Sequence, residues 1–66
     1  MTTLEKLNFI REERYQDLND WQKDFIEDRY EAVTNHPDEI TDDEVKEFFT
    51  RKQIEKIDEI WEELGL

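Results

Sequence analysis

The sequence predicts an all-α fold: a small bundle of three longer helices plus one short helix. Three observations lead there. Pro37 and Gly65 are the only proline and glycine in 66 residues, so the punctuation that hairpins and tight turns need is missing. Apolar side chains recur at spacings of three and four instead of alternating. Asn19, Thr41 and Thr50 each precede a Gln or Glu by three positions, the spacing of a helix N-cap and its reciprocal partner.

The first helix is expected from about Thr3 to Asp17, with Leu4, Leu7 and Ile10 on one side. Arg11 and Arg14 continue the stripe of Leu4 and Leu7, so they must snorkel past the core, pair with carboxylates or sit beyond its edge. Leu18, Asn19 and Gln22 read as a residue at N′, an N-cap and its capping partner, opening a second helix that reaches about Thr34. Its apolar face is expected to gather Leu18, Trp21, Phe25, Ala32 and Val33, with Ile26 and Tyr30 at the margin. One unbroken helix from Thr3 to Thr34 is the alternative, because Asn19 and Asp20 are weak breakers.

Asn35, His36 and Pro37 interrupt the helical pattern, since proline disfavours helical geometry in the residue before it. Thr41 with Glu44, flanked by Ile40 and Val45 as a hydrophobic staple, opens a short helix to about Phe49. Thr50 with Gln53, flanked by Phe49 and Ile54, opens the last one. Ile54, Ile57, Ile60, Trp61 and Leu64 form its narrow stripe, and Gly65 stands where a C′ glycine is favoured.

A chain of this length makes one domain, residues 1–66, burying about 60% of its unfolded surface. With no cysteine, neither a disulfide nor a thiolate metal site can staple it. No apolar run exceeds two residues, so a soluble, unprocessed, cytoplasmic protein without membrane contact is expected. Twenty acids against nine bases give a net charge of −11, which argues against direct binding to nucleic acid or anionic lipid. Two Trp, two Tyr, four Phe and the regular Ile and Leu spacing argue for folding in place of disorder.

Catalytic chemistry has little to build on. Serine and cysteine are absent and His36 is the only histidine, so the usual pairs of nucleophile and base cannot be assembled. A lone glycine excludes a phosphate-cradling loop. No enzyme activity and no cofactor are expected, and His36 reads as a loop residue, because no second histidine or cysteine stands at ligand spacing. The stretch from Asp38 to Val45 resembles the second half of an EF-hand calcium loop, with Glu44 at the bidentate twelfth position. Val33 and Pro37 then occupy the first and fifth positions, where neither side chain binds a hard cation. A helix cap among solvated acids is the preferred reading, and a degenerate EF-hand-like calcium binder the third alternative.

The most informative signal is where the charge lies. Residues 20 to 44 hold ten acids against two bases, Lys23 and Arg29, and so most of the net charge of −11. Asp20, Asp24 and Asp28 form an i, i+4 column of like charges, as do Glu27 and Glu31, an arrangement that costs folding a few tenths of a kcal/mol per pair. Carboxylates one turn apart stand about 5–6 Å from each other, a spacing comparable to that of phosphates along a nucleic acid strand. Phe9, more than a right angle off the Leu4 and Leu7 stripe, and Tyr30 are the expected exposed aromatic contacts.

Leu18, Trp21, Phe25 and Ile26, followed by Lys52, Gln53, Ile57, Ile60 and Trp61, give L-x-x-W-x-x-x-F-I and K-Q-x-x-x-I-x-x-I-W. This pattern resembles a short helical module at the ends of bacteriophage proteins of DNA replication and recombination. The resemblance implies a viral accessory protein attached to DNA-processing machinery, with Trp21 and Trp61 packed together. The leading expectation is therefore a non-catalytic module that binds a protein partner with a basic surface through Asp20, Asp24, Glu27, Asp28 and Glu31, as a DNA mimic or inhibitor would. A homodimeric or subunit-type structural module, whose charge only gives solubility, is the second expectation.

Overall fold

The computed structural model describes residues 1–35 and 40–66. Along the chain come α1 (Thr3–Glu13), a 3₁₀ turn (Tyr15–Asp17), α2 (Asp20–Thr34), α3 (Asp42–Phe48) and α4 (Arg51–Glu63). The described residues contain no strand, and none of their helices is long and apolar enough to cross a membrane. The interruption expected at His36 and Pro37, with the acids Asp38 and Glu39, lies outside the described residues.

Every helix begins at a side chain that accepts one of the free N–H groups of its first turn. Thr2 with Glu5, Asn19 with Gln22 and Thr50 with Gln53 form complete capping boxes. At α3, Thr41 Oγ1 accepts from the Glu44 amide at 3.3 Å and donates to the Glu44 carboxylate at 3.4 Å, so the returning bond goes to the hydroxyl. α4 is C-capped by Leu64, and Gly65 takes the left-handed conformation, φ +77°, that a C′ residue needs.

Two expectations are corrected between residues 13 and 33. The first helix stops at Glu13, four residues short of Asp17, and no unbroken helix joins it to α2. Arg14 Nε grips Asp17 at 2.7 Å, the Asp17 amide donates to the Arg14 carbonyl, and Leu18 turns extended to bury its side chain. The Asn19 cap then restarts the helix. The buried face of α2 is also not the expected one: Gln22, Ile26 and Val33 point inward, and Trp21 is 48% exposed. At about 100° per residue, Asp28 lies within about 20° of Trp21 around the helix, so turning Trp21 inward would carry a carboxylate with it. The Gln22 face has no such penalty, because all the acids of α2 lie opposite it.

α1 is the central element and packs against α2, α3 and α4. Leu7 and Ile10 from α1, Leu18, Ile26 and Val33, then Ile40, Val45 and Phe49 around α3, and Ile57 and Ile60 from α4 make one buried cluster. The radius of gyration, 11.0 Å, equals the roughly 11 Å expected of a compact chain this long, so the acidic composition has not prevented collapse. Polar contacts tie the helices at fixed points. The Leu4 amide donates to Asp42 at 3.1 Å, Lys6 to Asp58 at 3.0 Å, Arg14 to the Leu64 carbonyl at 3.2 Å, and Gln22 to Glu63 at 2.7 Å.

Candidate protein-interaction face

α2 is held by its buried side, and that decides what its other side presents. Leu18 enters the core just before the helix, and Gln22, Ile26 and Val33 follow at i, i+4 and i+11. Gln22 uses both ends of its amide: the oxygen accepts from the Asn19 amide at 3.1 Å while the nitrogen donates to Glu63 on α4. A buried polar side chain is thereby satisfied and the start of α2 is pinned to the end of α4.

Opposite this stripe stand Asp20, Asp24, Asp28 and Glu31, all exposed, with Glu27 half-buried. Their pairing is uneven. Asp28 pairs with Arg29, whose guanidinium also lies 5.2 Å from the Phe49 ring centre. Glu27 accepts the Tyr15 hydroxyl at 3.0 Å and faces Arg11 at 3.8 Å. Asp20, Asp24 and Glu31 make no ion pair among the described residues. Burial, then the hydrogen bond to Glu27 and the Glu27 charge, push the Tyr15 hydroxyl above its ordinary pKa, with Arg11 pulling the other way.

Asp42, Asp43 and Glu44 belong to α3 and serve that part of the molecule. Asp42 accepts the Leu4 amide in the first turn of α1 and pairs with Lys46 at 3.5 Å, so it caps a neighbouring helix from across the bundle. Asp42, Asp43 and Glu44 together fill the first turn of α3, where the helix dipole favours negative charge. Among the described residues the anionic run legible in the sequence is thus divided between the outer side of α2 and the first turn of α3. Glu44, the expected twelfth EF-hand ligand, is taken up by the Thr41 cap. Among the described residues no three His, Cys, Asp or Glu side chains gather as a metal site would require.

The aromatic residues change places relative to expectation. Phe9 is no exposed anchor: it is half-buried, edge-on to Trp61 at 5.6 Å between ring centres, because α4 wraps over the side of α1 that lies off the Leu4 stripe. Tyr30 is half-buried too, with the Arg11 guanidinium 5.4 Å from its ring centre and 4.6 Å from that of Tyr15. No ring contact joins Trp21 to Trp61 among the described residues; Trp21 meets Phe25 at 6.5 Å instead. Trp21 is therefore the aromatic residue of the outer face that the sequence missed. Its signal was Asp28, seven positions on and almost on the same line along the helix.

A depression beside the 3₁₀ turn, lined by Arg11, Glu12, Glu13, Tyr15, Gln16 and Asp17, is open to solvent and mostly polar in its lining. Compared with known protein families, curated proteins and solved structures, the chain finds no match.

Proposed function

We propose that this chain is a small non-catalytic binding module whose α2 outer face occupies a basic surface on a protein partner. The observation that carries this reading is the set Asp20, Asp24 and Glu31, exposed on the side of α2 opposite its buried stripe and without an ion pair among the described residues. Like charges at i, i+4 weaken an isolated helix, so folding gains nothing from Asp24 and Glu31, which lie beyond the first turn where the dipole favours Asp20, whereas a cationic surface gains from all three. The sharper form is a DNA mimic that inhibits a nucleic-acid-binding protein, in keeping with the phage-type resemblance.

The test runs the wild type and the charge-reversed D24K/D28K variant side by side as bait in an extract of the native host, followed by elution with duplex DNA. Partners held by the wild type, lost from the variant and released by DNA support the mimic. Retention by both baits removes it.

A second reading, a homodimeric or subunit-type module, draws support from the exposure of Trp21 (48%) and Phe48 (54%). Sedimentation across a salt series separates the two. Association driven by apolar surface holds or strengthens with added salt, while binding through the acidic face weakens.

A further inference from the structure

We infer that Trp21 is the aromatic half of the α2 docking face and that an arginine of the basic partner occupies it, stacked on the open indole while its guanidinium reaches Asp24 or Asp28. This rests on α2 being the binding face and adds which cation the face selects.

Trp21 carries the inference. Tryptophan is among the most buried side chains on average, yet this one is 48% exposed while the core closes around Ile26. Phe25 buttresses the ring from one turn further along α2. Asp24 follows Trp21 by one turn and Asp28 by two, so carboxylates stand beside and beyond the ring on the same side of the helix. The indole already draws a cation from within the chain: Lys56 on α4 holds its ammonium 5.7 Å from the ring centre while also pairing with Glu59 at 3.1 Å. That contact is intramolecular, exposed and replaceable.

Charge decides among the occupants. A second copy would bring another −11 to a surface that is already anionic, and an uncharged apolar segment would bury carboxylates without compensation. A cation satisfies both the ring and the acids. Arginine does so better than lysine, because its planar, weakly hydrated guanidinium stacks on an aromatic face and still presents a fork to a carboxylate.

The experiment uses fluorescein-labelled oligoarginine and oligolysine peptides of equal length, titrated with the full chain at low salt and followed by anisotropy. The arginine peptide is expected to bind about two- to fivefold more tightly than the lysine peptide, and W21A to bring that ratio to about one. K56Q is expected to tighten the arginine peptide more than K52Q, which removes the same charge from an exposed position without a ring contact. This second comparison stands even if W21A fails to fold. A preference for arginine that survives W21A, or equal effects of K56Q and K52Q, overturns the inference. So does a dimer in sedimentation that W21A dissociates, since the occupant is then a second copy. If D24N/D28N leaves both peptides unaffected, the acidic-face reading itself fails; if it weakens both while W21A changes nothing, only the role of Trp21 is lost.

Discussion

Along the seam where α1 meets α4, charged side chains reach across to partners: Lys6 to Asp58 at 3.0 Å, and Arg14 to the Leu64 carbonyl at 3.2 Å. On the outer face of α2, Asp20, Asp24 and Glu31 have no such partner among the described residues. The difference separates two uses of charge in one small domain. At the seam, charges fix how helices meet, and Arg14 answers the negative end of α4. On the outer face Asp24 and Glu31 stand one turn from like charges, which folding does not reward. The two tryptophans follow the same division, Trp61 packed on Phe9 at the seam and Trp21 open beside the acids.

Breaking the seam gives the largest expected effect. Ile57 is fully buried in the common core, and I57A should remove about 3 kcal/mol, lowering Tm by roughly 12–24 °C in thermal unfolding. A loss under about 1 kcal/mol would mean that α4 does not pack as described. Next comes Q22E, which sets a carboxylate against Glu63 at a contact now 2.7 Å long. A loss of about 2 kcal/mol in denaturant unfolding at neutral pH is expected, shrinking as the pH falls and a proton shared between the two carboxylates restores the donor.

The tryptophans sharpen the contrast directly. W61A should cost about 3 kcal/mol and W21A, half open to water, about 1 kcal/mol, measured in the same denaturant series. Equal losses would erase the distinction between seam and face. The smallest effect concerns Tyr15, whose hydroxyl is kept neutral where it donates to Glu27. Because its folded pKa is raised above the unfolded value of about 10, its contribution is fully present below that pH and lost as pH rises through the folded value. The stability of Y15F should therefore fall less steeply than that of the wild type above about pH 10.

Much of this arrangement was legible from the sequence, for identifiable reasons. α4 has one narrow apolar stripe between a Thr50 cap and Gly65, so local pattern and tertiary packing point the same way. The caps at Asn19, Thr41 and Thr50 are local chemistry and stand where the spacing put them. α2 offers two stripes, and the richer one, Trp21 with Phe25 and Ala32, is not the buried one. Gln22 reads as polar until Glu63, 41 residues away, supplies its partner. The end of α1 depends on Arg14 meeting Asp17 and on Leu18 finding the core, which helical periodicity does not encode. The i, i+4 spacing put Asp20, Asp24, Asp28 and Glu31 on one exposed side of α2, whereas Glu27 is half-buried by Tyr15 and Arg11, which come from other elements. Phe9 and Tyr30 were misjudged because Trp61 and Arg11, which cover them, come from other elements.

The most direct test is the stability of D24N/E31Q, at the two outer acids that lie beyond the first turn of α2 and make no ion pair among the described residues, against the wild type, by denaturant unfolding at low and high salt. If the outer carboxylates only oppose folding, the variant is as stable or more stable by a few tenths of a kcal/mol at low salt, and the difference closes as salt rises. A variant clearly less stable than the wild type at low salt would show that these acids hold the fold together, contradicting their assignment to a partner.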